Sequence, residues 1–434
     1  DCTTLYLASV HRNVGIGCNE FDSVWRSTIS PGVAAPLPAI PPIGTYWERV
    51  FLHTTSACCG VQQTDLPILR TVQSCTDSSD GGVVAWAARF APSSTSGSGV
   101  MAWSPDYGDY WCAITPRYLV EDFTFESSRV IYVAGTTGMV QKLVYTGTAW
   151  STNLRGADTN VIPHTITARN GKVLVGANMY STLDGTPVSY SADSGANFQT
   201  YRDNIPFKGN VHAIFDTDFE KNRFIYTAVG DNVTGTVYRN SVPVFTRWTD
   251  NDMMDVSNGA TGSNWTVDNI TIGPNPPHLQ GYFGIVMAFT GNGQPALYAA
   301  HDNITTAHFG KTTSNSAVCR TLEPRNGMPK PGIYWDCLDV FQPPAQAGVH
   351  FTLEPSSLKA CGCCSTNTNT TLYAIDNESG LIWDGSISPS DNITTILDKL
   401  LLGRYMKIPG YDPLNNQGML WAYTDCLAKK GPVL

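Results

Sequence analysis

Carboxylates, thiols and hydroxyls are the groups in this chain whose spacing could do chemistry. Asp250-Asn-Asp252-Met-Met-Asp255 gathers three carboxylates on a short loop. These are the hard oxygen ligands that calcium takes, so calcium is the ion the sequence admits, and no other cofactor is expected. Asp216-Thr-Asp218-Phe-Glu220 alternates carboxylates in a similar way, but Lys221 stands where a calcium loop needs Gly. It reads as a turn between two strands. Cys361-Gly-Cys363-Cys364 and the vicinal Cys58-Cys59 are dense enough for a soft metal. No His lies at the usual spacing from Cys361, and the total of 12 cysteines is even, so both read as structural disulfides. Gly310-Lys-Thr312 lacks the earlier glycine of a phosphate loop, and neither H-E-x-x-H nor G-x-S-x-G occurs. The eight histidines are scattered and read as structural. No catalytic residue is expected, and the enzyme question leans towards no.

A different chemistry repeats. Ser104-Pro-Asp106-Tyr-Gly108-Asp-Tyr-Trp111 and Ser191-Ala-Asp193-Ser-Gly195-Ala-Asn-Phe198 share the pattern S-x-D-x-G-x-x-(W/F). Ser and Asp can hydrogen-bond the backbone of a tight turn, Gly supplies a positive φ, and the aromatic plugs the turn into an apolar layer. This is a device for folding a hairpin, and two copies imply a repeat architecture. On these residues the chain resembles the Asp-box (BNR) β-propellers, which include sialidases, sortilin-type receptors and bacterial surface proteins. The resemblance implies that the turns lie on the outer edge of the propeller and are fold residues. A sialidase would also carry an early Arg-Ile-Pro; Asn204-Ile-Pro206 is the nearest match and lacks the Arg. A sortilin-type receptor carries its cysteine-rich modules after the propeller, whereas here the cysteines divide between both ends.

The elements around these turns repeat as well. Arg129-Val-Ile-Tyr132-Val-Ala134 returns as Arg223-Phe-Ile-Tyr226-Thr-Ala228, each preceded by an alternating stretch, Val120-Glu-Asp-Phe-Thr-Phe and Val211-His-Ala-Ile-Phe. Such pairs read as adjacent strands. Related strands centre near residues 6, 85, 132, 174, 226, 286 and 373. The expected fold is all-β, a single propeller over 1–434 with four-stranded antiparallel blades, seven in number with six to eight open. Within it, 10–80 reads as a Pro/Cys-rich insertion, 305–370 as a Cys-rich insertion, and 390–434 as a C-terminal helix with a ring-closing strand. The helix is expected at 391–402, with Ile393, Ile396, Leu397, Leu400 and Leu401 on one face. Gly418-Met-Leu-Trp-Ala-Tyr423 would close the ring beside residues 4–8.

Bulk properties bound the function. Net charge is −9 and charged residues make up only 15% of the chain, with no basic cluster, which argues against nucleic acid. No apolar run approaches a membrane span. The chain opens on Asp1, and we expect a removed leader and a secreted or cell-surface location. The disulfide candidates are Cys2, Cys18, Cys58, Cys59, Cys75, Cys112, Cys319, Cys337, Cys361, Cys363, Cys364 and Cys426, with Cys2–Cys426 as the first pairing if the ring closes. Sequons at Asn232, Asn264, Asn269, Asn303, Asn369, Asn377 and Asn392 are the glycosylation candidates. The expected function is structural or adhesive, through self-association or binding to other surface proteins or glycans. Carbohydrate binding or sialidase-like hydrolysis is the alternative, and a sortilin-like peptide receptor the second.

Overall fold

The computed structural model describes residues 99–151, 156–178, 188–201 and 209–230 continuously, and elsewhere the strands named below and a turn at 324–325. The described strands form seven four-stranded antiparallel sheets. Blade 2 comprises Ile68–Asp77, Gly81–Arg89, Val100–Ser104 and Cys112–Ile114, from the inner strand outwards. Blade 3 is Val120–Ser127, Val130–Gly135, Met139–Val144 and Ala157–Asp158; blade 4 is Pro163–Arg169, Lys172–Ala177, Val188–Ser191 and Gln199–Tyr201. Blade 5 is Asn210–Phe215, Phe224–Gly230, Gly235–Ser241 and Met253–Asp255. Blade 6 is Tyr282–Phe289, Pro295–Asn303, Asn315–Thr321 and Asp336–Asp339; blade 7 is Leu358–Cys361, Thr370–Ile375, Leu381–Ile387 and Arg404–Lys407. A small hairpin, Thr266–Val267 with Ile270–Thr271, lies between blades 5 and 6 in sequence.

Blade 1 joins the two ends of the sequence. Thr4–His11, Phe21–Thr28 and Trp47–Thr54 are completed by Leu420–Ala422, with Leu7 opposite Ala422 and Ser9 opposite Leu420. The inner strands of blades 2 to 7 pack in sequence order, and Leu420–Ala422 packs between blades 7 and 2. The fold is a closed β-propeller. Closing the ring in this way pairs the edge that Thr4–His11 would otherwise expose.

Strands buried on both faces read as near-continuous apolar runs, and the second strands obey this. Ile131 and Val133 join Val83, Ala85, Met101 and Trp103 in a core between blades 2 and 3. Tyr132 and Ala134 turn to the opposite face and pack with Val173 and Val175 of blade 4. Leu174 then joins Val211, Phe215 and Ile225 between blades 4 and 5. Each second strand thus serves two inter-blade cores by the period-2 alternation of its side chains.

The two Ser-x-Asp-x-Gly turns join the third and fourth strands of blades 2 and 4, and their bonding matches group for group. Ser104 Oγ donates to Asp106 Oδ1 (2.8 Å) and accepts from Gly108 N (2.8 Å); Asp106 Oδ1 also accepts from Tyr110 N (2.9 Å). Ser191 Oγ donates to Asp193 Oδ1 (2.7 Å) and accepts from Gly195 N (3.0 Å); Asp193 Oδ1 accepts from Asn197 N (2.9 Å). Gly108 and Gly195 hold φ of 93° and 76°, in the region that favours glycine. Burial opposes ionisation of Asp193, but the Asn197 amide and the surrounding backbone donors outweigh it and hold the carboxyl below its usual range.

The aromatic of each turn reaches back to the preceding blade. Trp111 Nε1 donates to Val50 O (3.0 Å) of blade 1, and Arg26 donates to Tyr107 O (2.8 Å) and Asp109 Oδ1 (2.9 Å). Phe198 packs against the core shared with blade 3. In blade 3 the stretch Tyr145 to Trp150 takes the same place without the Ser and Asp, and its Trp150 lies edge-on to Trp103 of blade 2 at 5.4 Å. Ser104→Ala leaves the buried Gly108 N–H without its acceptor. It is expected to cost about 1–3 kcal/mol in urea unfolding, and an unchanged midpoint would contradict the role assigned to Ser104.

Three sequence readings need amending. Gly284-Ile-Val-Met-Ala-Phe289 belongs to the inner strand of blade 6, whereas most other repeat markers are second strands. The stretch 10–80, read as an insertion, supplies Phe21–Thr28, Trp47–Thr54 and Ile68–Asp77. The stretch 305–370 likewise supplies Asn315–Thr321, Asp336–Asp339 and Leu358–Cys361. The helix expected at 391–402 lies outside the described residues. The described helix is a single turn, Phe219–Asn222, inside the segment read as a strand-to-strand turn.

Candidate functional site

Inner strands are where a propeller brings residues from different blades together, and here four of them carry the same irregularity. The register slips between Leu69 and Thr71, Val120 and Asp122, Pro163 and Thr165, and Tyr282 and Gly284. Arg70, Glu121, His164 and Phe283 are therefore the extra residues of bulges in blades 2, 3, 4 and 6. A bulge re-aims a side chain, and bulges are common at functional rims. Blade 5 runs straight through this point, with His212 opposite Ala228, the register position of Asp122 and Thr165. All of these sit at the start of the inner strands, the end of the ring away from the Ser-x-Asp-x-Gly turns.

Three of these residues form a buried line across blades 3, 4 and 5. Glu121 Oε1 lies 4.0 Å from His164 Nδ1, with the two side chains 2% and 3% exposed. The His164 ring meets that of His212 edge-on, centroids 4.9 Å apart at 88°. At this burial, a solute reaches these groups only by displacing their neighbours. The flanking polar residues tie blade to blade. Asp122 Oδ2 accepts from Ile166 N (2.9 Å), Thr165 Oγ1 donates to Val211 O (2.9 Å), and Gln73 Nε2 donates to Phe123 O. Among the described residues no group of three His, Cys, Asp or Glu is placed to hold a metal ion.

A second polar centre occupies the opposite end of blade 5. The Asp216 carboxylate, with no solvent exposure, accepts from Tyr226 Oη (2.9 Å), Asp218 N (2.7 Å) and Arg325 Nε (2.9 Å). Arg325 also donates to Asp218 Oδ2 and Thr217 Oγ1, both at 3.0 Å. Pro324 O accepts from Arg239 Nη1 (2.6 Å), and Arg169 Nη1 donates to Asp216 O (2.8 Å). Burial, then the adjacent carboxylate, pushes the Tyr226 hydroxyl far above its ordinary range. Burial lowers Arg239, whereas for Arg325 the opposing hydrogen bonds and charge of Asp216 and Asp218 prevail over burial and raise it. The alternating carboxylates that resembled a calcium loop thus hold a guanidinium.

The other sequence candidates are placed as follows. Asp255 lies in the outer strand of blade 5, opposite Tyr238, while Asp250 and Asp252 lie outside the described residues. Cys112 is a free, half-buried thiol in blade 2, so the structure does not bear out a disulfide at that position. Its neighbours include the apolar core between blades 2 and 3, where a lone thiol behaves as a small hydrophobe. Cys75, Cys319, Cys337 and Cys361 lie in strands, as does Asn303; the remaining cysteines, the Cys2–Cys426 pair among them, and the other six sequons lie outside the described residues. No helix among the described residues is long and apolar enough to cross a membrane.

Sequence reasoning missed Glu121, His164 and His212. The stretches around Glu121 and His212 read as equivalent, but the bulge at Glu121 shifts the period-2 alternation by one residue, so the two strands do not align position for position there. The polar doublets Glu121-Asp122 and His164-Thr165, each just after the first residue of an inner strand, are the signal that could have found it.

No family model matches the chain, and no curated protein matches it. Solved structures similar to it are propeller proteins at low identity. A GH74 xyloglucanase from Xanthomonas campestris is 11% identical with a TM-score of 0.45, over 81% of this chain and 46% of its own. An ancestral GH74 enzyme is 16% identical with a TM-score of 0.45, over 81% of this chain and 40% of its own. A YCF48 protein bound to a D1 peptide is 13% identical with a TM-score of 0.41, over 85% of this chain and 99% of its own. The chain spans less than half of either GH74 protein.

Proposed function

We propose that this chain is a secreted or cell-surface propeller of the Asp-box type that acts by assembly or adhesion and not by turnover. Its role is that of a subunit of a surface layer, sheath or extracellular filament. The observation that supports this reading is how the polar groups of the inner strands are used. Asp122, Thr165 and Gln73 tie one blade to the next, and Glu121, His164 and His212 pack against one another in the interior. A ring braced in this way is suited to bearing load and presenting its rim. The low charge and the cysteines towards both ends of the sequence agree with an oxidising, extracellular setting. The partners on this reading are further copies of the chain, other surface proteins or glycans, and calcium is the ion to test.

Negative-stain microscopy of the purified protein and of the source cell surface tests the proposal. Regular polymers or a periodic surface array are the expected result. Uniform monomers together with binding to a glycan array would overturn it in favour of a lectin or a glycoside hydrolase.

A further inference from the structure

In blade 6 the third and outermost strands run antiparallel with Val318 opposite Leu338, Cys319 opposite Cys337 and Arg320 opposite Asp336. Directly opposed residues of such strands have Cα atoms about 4.5 or 5.5 Å apart, according to whether the pair is hydrogen-bonded. Both spacings fall within the roughly 4.4–6.8 Å that a disulfide spans. The other cysteines in described strands do not face a cysteine in their ladders: Cys75 stands opposite Val83, Cys112 opposite Trp103 and Cys361 opposite Thr371.

We propose that Cys319 and Cys337 form a cross-strand disulfide that covalently closes residues 320–336. Two thiols lose two protons and two electrons to a disulfide oxidant of the glutathione type, which leaves as two thiols. The bond pins the outermost strand of blade 6 to its neighbour. It also fixes both ends of the loop that carries Pro324 and Arg325, whose contacts run to Tyr226, Arg239, Asp216 and Asp218 of blade 5. A covalent loop keyed into the next blade limits how far blade 6 can peel away. The bond is expected in the native protein because of the extracellular reading above, and the experiment separates the two claims.

The full-length protein is reduced, then reoxidised in a glutathione buffer, blocked with iodoacetamide and digested with trypsin without reductant. Residues 312–320 and 326–359 each contain a single cysteine, so the bond appears as one crosslinked peptide that separates on reduction. That crosslink is the expected product. Glutathione adducts at both positions, or either cysteine bonded elsewhere, would overturn the pairing. The same map on protein isolated from its source reports the compartment. All thiols free there, with the crosslink still forming in the buffer, would overturn native oxidation and leave the geometry standing. A Cys319→Ser/Cys337→Ser variant is expected to melt several degrees lower, and an unchanged melting temperature would contradict the bracing role assigned to the bond.

Discussion

Asp216→Ala is expected to lower the unfolding free energy by about 2–3 kcal/mol, less than the loss of one partner of a fully buried ion pair, because the Arg325 side chain is a quarter exposed. The carboxylate is fully buried and accepts from Tyr226, Arg325 and the backbone of its own turn. Its loss leaves a guanidinium and a phenol facing a void between blades 5 and 6. Urea unfolding followed by tryptophan fluorescence measures the effect, and a loss under about 1 kcal/mol would show that the cluster contributes little. A double variant, Asp216→Ala with Arg325→Met, is expected to recover part of the loss, because the unpaired cation goes with its partner.

Gly176→Ala is the second large effect. A Cβ at this position would lie 2.1 Å from Val211 O and 2.6 Å from Thr165 Oγ1, the two ends of the hydrogen bond that joins blades 4 and 5. The nearest atom is backbone, so the inner strand of blade 5 must move. Overpacking of this kind costs about 1–3 kcal/mol or more. The neighbouring repeats explain why glycine stands here. Ala87, Ala134 and Ala228 hold the equivalent register in blades 2, 3 and 5, and each precedes a blade whose inner strand is bulged. Blade 4 alone among these precedes the unbulged strand of blade 5, and it carries Gly176. The matched test is Ala134→Gly, which removes little beyond a methyl group and is expected to cost about 1 kcal/mol. Equal losses for the two variants would contradict the steric account.

These two residues mark the boundary of what the sequence discloses. The second strands are legible because they are buried on both faces, so Arg129–Ala134 and Arg223–Ala228 stand out as apolar runs. The Ser-x-Asp-x-Gly turns are legible because all of their bonds close within a few residues. Strands Phe21–Thr28 and Asp336–Asp339 are harder to read, since prolines and cysteines around them mask short alternations. The polar centres are out of reach for another reason. Glu121 finds His164 in the next blade, and Asp216 finds Arg325 beyond the whole of blade 5's remaining strands. Lys221 speaks against calcium at Asp216, but nothing local to Asp216 announces that a guanidinium will neutralise it.

The composite blade 1 sets a timetable for biogenesis. Thr4–His11 leaves the ribosome long before its inner partner Leu420–Ala422. At about 5–20 residues per second the interval is on the order of tens of seconds. Through that interval six blades can assemble while the first strand waits with one side of its hydrogen bonds unsatisfied. Such a nascent chain depends on holding factors, or on slow release, more than the finished ring does. Damage to Leu420–Ala422 is therefore felt at Thr4–His11, far away in sequence.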